Sequence, residues 1–291
     1  MPLAIVERVR AIGIQARRLV DELFLGEYHA VFRGRGIEFD ELRPYIPGDD
    51  TRDIDWKTFA RSGQVFVRRY REDRQLTVLF AVDVSASQHA GSLERTKLDM
   101  AAEVCAVLAL AAIRNDDRVG LLLFASEPER YIRPASGSRH VLRVVREMLG
   151  ARGRSRGTGI GPALEYLVDV HRRSATVFLV SDFLTGGYER ELRAACLRHD
   201  VVPVCVREPV DEELPDVGIA RLADAETGEL VEVDTSDRRT RDAYRDHVRA
   251  LDDERRRIQG ALGLDAIELR VGQDYAAELL KFFRRRAARV A

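Results

Sequence analysis

The stretch LTVLFAVDVSAS, residues 76–87, decides the fold of this chain. Its first part is a short apolar run that ends at Asp83, as is typical of a strand buried on both faces of a sheet. Similar runs follow at 119–125 (VGLLLFA), 175–182 (ATVFLVSD) and 201–206 (VVPVCV). Helical patterns lie between them, at 94–114, 138–149, 160–172 and 188–199. This alternation predicts an α/β fold with a Rossmann-like, doubly wound and mainly parallel sheet.

The segments on either side of these runs predict additions to the sheet. On the C-terminal side, DAIELRV at 265–271 is a further strand, framed by amphipathic helices at about 237–262 and 274–289. On the N-terminal side we expect an amphipathic helix over 3–25 that ends near Gly26, an aperiodic segment at 31–63, and a strand at VFVRRY. We therefore divide the chain into an N-terminal module with helical and β elements, residues 1–75, and an α/β domain, residues 76–291.

Composition limits the classes of partner. The 291 residues include 47 Lys and Arg against 48 Asp and Glu, so no global field draws the protein to nucleic acid or to an anionic membrane. Cys105, Cys196 and Cys205 stand singly in apolar patterns, which indicates buried thiols in a reducing compartment. Charged residues interrupt the apolar N-terminal segment, and no apolar stretch reaches membrane-spanning length. We expect a cytoplasmic protein without a membrane span.

Oxygen-bearing side chains follow the ends of the predicted strands. Asp83, Ser85 and Ser87 alternate where the first run ends, and Asp182 closes the third run. Thr158 stands in a glycine-rich loop before a predicted helix. Ligands of open α/β sheets collect beyond the carboxyl ends of the strands, so we expect these five side chains to converge.

The types of these side chains indicate a hard cation. Carboxylate and hydroxyl oxygens without His or Cys suit Mg²⁺. Because only two of the five ligands are charged, we expect one side of the site to stay open. A carboxylate from another molecule can fill that side. Strand-end capping of backbone donors is the alternative explanation for Asp83, Ser85 and Ser87, and the added Thr158 and Asp182 favour the metal.

The same residues match a known motif. Asp83-x-Ser85-x-Ser87, Thr158 followed by GIGPAL, and Asp182 after an apolar strand resemble the complete metal-ion-dependent adhesion site of von Willebrand factor A domains. The resemblance covers about residues 76–206. It implies a Rossmann-like fold, a Mg²⁺ or Mn²⁺ ion, and binding of a partner through an acidic side chain.

A second resemblance covers GRGIEFDELRPYIPGDDTRDIDWKTFARSG, residues 34–63. This segment is similar to the signature of bacterial A-domain-like proteins in a family of unknown function that is associated with MoxR-type AAA+ ATPases. The resemblance implies an ATPase partner that remodels or activates client proteins. Together the two motifs favour a metal-dependent, chaperone-like protein-binding adaptor that is not itself an enzyme.

The N-terminal module contains an acidic cluster that leaves other functions open: Asp49, Asp50, Asp53 and Asp55. An EF-hand loop starting at Asp49 would need Gly and Glu where the chain has Ile54 and Ala60, so this calcium motif is excluded. A metal-dependent phosphodiesterase or nuclease, using this cluster with the strand-end aspartates, remains the alternative function. Interleaved arginines favour a turn held by carboxylate–guanidinium pairs. A partner-binding surface at Asp49, Asp50 and Arg52 is the further possibility.

The basic segment 153–161 resembles a phosphate loop at first sight. It lacks the Gly-Lys-Ser/Thr of a P-loop, so nucleotide binding is not expected there. Arg154 and Arg156 are candidates for contact with an acidic patch of a partner, although a solvated basic loop is the favoured explanation. Trp56, the single tryptophan, is expected to pack in a core.

Overall fold

A six-stranded sheet forms the centre of the computed structural model, which describes residues 3–23, 37–72, 75–89, 95–153, 157–223 and 230–290. The strands are β1 (Ile37–Pro44), β2 (Phe66–Glu72), β3 (Thr77–Asp83), β4 (Arg118–Phe124), β5 (Pro128–Ala135), β6 (Thr176–Ser181), β7 (Asp200–Arg207), β8 (Ile219–Ala223), β9 (Leu230–Asp234) and β10 (Ile267–Arg270). The helices are α1 (Leu3–Leu23), α2 (Trp56–Ser62), α3 (Ala86–His89), α4 (Lys97–Arg114), α5 (Ser138–Leu149), α6 (Ile160–Val170), α7 (Glu189–Cys196), α8 (Pro209–Glu212), α9 (Arg238–Ala261) and α10 (Tyr275–Val290).

The strand order of the central sheet is β10-β7-β6-β3-β4-β5. All neighbouring pairs are parallel except β4 with β5, which are antiparallel. The predicted α/β fold with a Rossmann-like, doubly wound and mainly parallel sheet is confirmed. The apolar runs form its strands because both faces of the sheet are covered.

Two hydrophobic cores lie on opposite faces of the sheet. Phe80 and Val82 of β3 face a core with α1, α4, α5 and α10. Leu79 and Ala81 of the same strand face a second core with α6, α7 and α9. Each fully buried side chain of the size of Leu or Phe contributes about 1.5–3 kcal/mol through burial. The strands between the cores therefore form a rigid platform for residues at their ends.

The course of the chain reverses at β3. The chain passes from β3 to β4 and β5 on one side, then returns to β6 on the other side of β3. The long helix after β3 is α4, in the first core, and the first helix after β6 is α7, in the second. The carboxyl ends of β3 and β6 thus border the crevice in which open α/β sheets bind ligands.

The N-terminal elements differ in part from expectation. Helix α1 ends at Leu23, and the predicted stop near Gly26 lies outside the described residues. The segment expected to be aperiodic contains β1, which pairs antiparallel with β2. Ile12, Ala16 and Val20 of α1 are buried against the first core. The division of the chain after residue 75 stays a prediction.

Trp56 does not pack in a core. Its side chain is 62% exposed at the start of α2, where its ring meets Phe59 edge-on. The expectation of core packing was wrong, because Asp55 accepts a hydrogen bond from Thr58 N and so fixes the start of α2 at the surface with Trp56 as its first residue. In the ranges that the structure describes, no helix is long and apolar enough to cross a membrane.

Candidate functional site

The first of the predicted ligands, Asp83, is the last residue of β3 and is buried. Its Oδ1 accepts a hydrogen bond of 2.9 Å from Ser85 N, which turns the chain away from the sheet. Its Oδ2 accepts one of 2.8 Å from Ser181 Oγ at the end of β6. Both donors are neutral. Burial, and then the nearby charge of Asp182, raise the pKa of Asp83 above its ordinary value.

Three hydroxyl groups gather beside this carboxylate. The Oγ atoms of Ser85 and Ser87 lie 3.0 Å apart, and Thr158 Oγ1 donates to Ser85 Oγ at 3.1 Å. Ser85 is fully buried, whereas Ser87 and Thr158 are half-buried. The hydroxyls predicted from two distant loops therefore form one cluster.

Glycines bring the Thr158 loop to the sheet. Gly159 N donates to Ala125 O at 2.7 Å, and a Cβ at Gly159 would lie 2.0 Å from Ser126 O. A Cβ at Gly153 would lie 2.4 Å from Val84 O. Such distances are far inside van der Waals contact, so both positions require glycine for this approach of the backbones.

The fifth predicted residue, Asp182, follows β6 and is buried. Its Oδ2 accepts hydrogen bonds from Gln88 Nε2 at 2.9 Å and from Lys97 Nζ at 2.7 Å. Its Oδ1 accepts one of 3.3 Å from Leu184 N. Gln88 Nε2 also lies 3.5 Å from Asp83 Oδ2, so this amide stands between the two carboxylates.

Lys97 adds a buried positive charge that the sequence did not reveal. Its side chain is 2% exposed, and its Nζ also lies 3.0 Å from both carboxylate oxygens of Asp211 in α8. Burial disfavours the ammonium, but Asp182 and Asp211 outweigh this effect and raise the pKa of Lys97. Lys97 is the first residue of α4, a helix that is almost fully buried. This position in an apolar segment was the one sequence signal that Lys97 needs an acidic partner.

Strained backbone follows Asp182. Phe183 is a buried non-glycine residue with φ 55°, and its N donates to Ser181 Oγ at 3.2 Å. Such a conformation costs about 1–3 kcal/mol and persists where the surroundings impose it. Arg207 Nε in β7 donates to Asp182 O at 3.1 Å and fixes the same turn.

The donor set is chemically consistent with a hard cation. In the described ranges, no three His, Cys, Asp or Glu side chains form a group that could hold a metal ion. A cation here would depend on the hydroxyls of Ser85, Ser87 and Thr158 with two carboxylates. Oxygen donors of this kind suit Mg²⁺ and Mn²⁺. Among its described contacts, Asp83 accepts hydrogen bonds only from neutral donors. A bound cation would supply the positive charge that these donors lack.

The residues of the N-terminal acidic cluster have local structural roles. Arg43 donates to both carboxylate oxygens of Asp49, at 2.8 and 2.7 Å. That pairing, together with Ile46 N, lowers the pKa of Asp49. Asp50 accepts from Arg52 N, and the side chains of both residues are exposed. Contact of Asp49, Asp50 and Arg52 with a partner stays a prediction.

The basic residues Arg154 and Arg156 lie outside the described residues. Their predicted contact with an acidic patch of a partner therefore has no structural description. The residues that border them, Gly153 and Gly157, belong to the loop that carries Thr158 toward β3.

Comparison with known proteins adds relatives without an assigned function. The chain is 32% identical over 286 residues to the uncharacterized protein Rv1480 of Mycobacterium tuberculosis, covering 96% of this chain and 90% of that protein. It is 32% identical over 162 residues to the uncharacterized protein MAV169 of Mycobacterium avium, covering 53% of this chain and 92% of that protein.

Two solved structures are similar over most of the chain. The conserved hypothetical protein BatB from Bacteroides thetaiotaomicron has a TM-score of 0.44 and 17% identity, covering 73% of this chain and 99% of that one. An aerotolerance-related membrane protein from Bacteroides fragilis has a TM-score of 0.46 and 16% identity, covering 74% and 99%. Residues 41–254 match the family model "Protein of unknown function DUF58". With most of its length matched by that model, this chain belongs to the DUF58 family of proteins of unknown function.

Proposed function

We propose that this chain is a metal-dependent protein-binding adaptor. Asp83, Ser85, Ser87, Thr158 and Asp182 would hold one Mg²⁺ or Mn²⁺ ion, as in the adhesion site of von Willebrand factor A domains. The observation that carries the proposal is the contact of three hydroxyls beside a buried carboxylate that has neutral donors. Buried carboxylates are seldom left without a compensating charge, and a cation would supply it.

The charges around the site favour a divalent ion. Lys97 pairs with Asp182 and Asp211, and Asp83 adds a third carboxylate, so these four side chains carry a formal charge of −2 when all are ionised. A divalent cation balances this charge. Hydroxyl donors bring no further negative charge, so the bound ion would attract an additional carboxylate from outside the chain.

The partner would be recognised through that carboxylate. The ion supplies a Lewis-acidic position for one acidic side chain, and the chain itself supplies the surrounding surface. The similarity of residues 34–63 to the signature of MoxR-associated proteins points to an AAA+ ATPase, or to its client, as the partner. The role is one of binding, and the chemistry of nucleotide hydrolysis would belong to the ATPase.

Calorimetry tests the metal site directly. We expect one Mg²⁺ per chain to bind to the wild type, and no Mg²⁺ to bind to Asp83→Asn, which keeps the shape of the side chain and removes its charge. Asp253→Asn, an exposed position on α9, is the matched control and should bind as the wild type does. Absence of Mg²⁺ and Mn²⁺ binding to the wild type, or equal binding by Asp83→Asn, would refute the proposed site.

A pull-down from the native cell tests the adaptor role. Wild type and Asp83→Asn are compared in Mg²⁺ and in EDTA, with captured proteins identified by mass spectrometry. We expect an AAA+ ATPase or its client with the wild type in Mg²⁺ alone. Identical captures from all four samples would show that the metal site does not mediate binding.

A further inference from the structure

Lys97 joins three separate elements around the candidate metal site. It is the first residue of α4, and it contacts Asp182 after β6 and Asp211 in α8. Its three contacts, of 2.7, 3.0 and 3.0 Å, match the three protons of an ammonium group. Because the side chain is buried, water does not screen these interactions as it would at the surface.

The contacts of Lys97 distinguish the two carboxylates of the site. Asp182 shares its charge with Lys97 and uses Oδ2 for both Lys97 and Gln88. Asp83 accepts hydrogen bonds from neutral groups alone among its described contacts. A cation beside the hydroxyls would therefore contact two different carboxylates. The charge of Asp83 is not balanced by a cationic side chain among its described contacts, whereas Lys97 already balances part of the charge of Asp182.

We propose that Lys97 is a positioning residue that sets the cation affinity of this site and leaves the bound ion able to attract a partner's carboxylate. The inference rests on the proposed metal site. By holding Asp182 toward Asp211, Lys97 keeps part of the negative charge from the ion. An ion bound in this way retains positive charge for an acidic side chain of the partner. The occupied site would then also be electrostatically linked to α8.

The structure offers variants that change the charge in both directions. Lys97→Met removes the positive charge with a side chain of similar length. It makes the group formed by residue 97 and the three carboxylates of Asp83, Asp182 and Asp211 one unit more negative. Asp211→Asn makes it one unit less negative and keeps an oxygen that can accept from Glu208 N, as Asp211 does now at 3.0 Å. The double variant Lys97→Met/Asp211→Asn restores the original charge without the ion pair.

Titration calorimetry with Mg²⁺ tests how these charge changes affect the Mg²⁺ affinity. Lys97→Met should bind Mg²⁺ roughly fivefold to tenfold more tightly than the wild type, and Asp211→Asn more weakly by a similar factor, as one unit charge in a partly solvated site requires. The double variant should return to within about twofold of the wild type. Lys281→Met, at an exposed lysine paired with Glu278, is the control and should bind as the wild type does.

Folding is followed by thermal unfolding in EDTA and in Mg²⁺. Lys97→Met should lose stability in EDTA and show a larger stabilisation by Mg²⁺ than the wild type. If Lys97→Met does not fold, two expectations still test the proposal: weaker Mg²⁺ binding by Asp211→Asn, and binding close to that of the wild type by the double variant. Equal or weaker Mg²⁺ binding by Lys97→Met, or equal binding by Asp211→Asn and the wild type, would overturn the role of Lys97. A wild type that binds no Mg²⁺ would instead refute the proposed function itself.

Discussion

Thr158 Oγ1 donates a hydrogen bond of 3.1 Å to Ser85 Oγ and so joins two loops that are 73 residues apart. The contact depends on the close approach of the Thr158 loop to the ends of β3 and β4. Gly159 makes that approach possible, because its N donates to Ala125 O and its Cα faces Ser126 O. A substitution in this loop should therefore disturb the assembly of the hydroxyl cluster.

Gly159→Ala should displace the Thr158 loop, because the new Cβ would lie 2.0 Å from Ser126 O. We expect a loss of about 1–3 kcal/mol in the free energy of unfolding and a loss of Mg²⁺ affinity, measured by urea unfolding and calorimetry. Gly260→Ala in α9 meets no atom within 4 Å and is the control. It should be neutral or stabilise by up to about 1 kcal/mol. Equal effects of the two substitutions would contradict the role of the glycine.

Much of the fold could be predicted from the sequence because it depends on apolar burial. Strands β3, β4, β6 and β7 have both faces covered, and such strands appear as continuous apolar runs. Strand β5 pairs at the edge of the sheet, and β1 lies outside it, so neither presents a continuous run. Strands β8 and β9 form an exposed pair whose pattern resembles that of a loop.

The site could be predicted as far as the ends of strands determine it. Asp83 ends β3 and Asp182 follows β6, and these strands are parallel neighbours, so the proximity of the two residues follows from the sheet order. The ion pairs of Lys97 with Asp182 and Asp211 could not be predicted, since they join residues that only the tertiary fold brings together. Gln88 was missed for the same reason, as its amide reaches Asp182 across 94 residues.

Mg²⁺ binding should strengthen as pH rises toward neutrality. Burial, and then Asp182, raise the pKa of Asp83 from 3.8 to about 7, so below that pH the ion must displace a proton. In EDTA the same group stabilises the folded state below pH 3.8 and loses this contribution as pH rises to about 7. The difference in melting temperature between the wild type and Asp83→Asn in EDTA should therefore decrease as the pH rises through this range, and it should decrease less in Mg²⁺. Proton release, measured by calorimetry in two buffers, checks the exchange; Asp83→Asn should release none.

Trp56 should behave as a surface tryptophan. It is 62% exposed and is the single tryptophan of the chain, so its fluorescence reports one environment. We expect a red-shifted emission that acrylamide quenches efficiently in the folded protein. Trp56→Ala should change the free energy of unfolding by less than about 0.5 kcal/mol. Val67→Ala, at a buried position in β2, should destabilise by more and is the comparison. Inefficient quenching would show that Trp56 is covered.

His199 should make the folded protein less stable in mild acid. His199 is 2% exposed, and neither of its ring nitrogens has a hydrogen-bond partner among the described residues. Burial, then His171 and Arg198, lower its pKa from 6.5 to about 4. Above pH 6.5 the imidazole is neutral in both states and contributes nothing. Between pH 6.5 and about 4 the unfolded chain binds a proton that the folded chain does not, so the free energy of unfolding decreases as the pH is lowered.

His199→Phe should weaken this pH dependence of the free energy of unfolding, measured by urea unfolding. Part of the dependence should remain because of His171, whose pKa burial also lowers. The exposed His247→Gln should leave it unchanged; equal pH profiles for His199→Phe and the wild type would contradict the assignment.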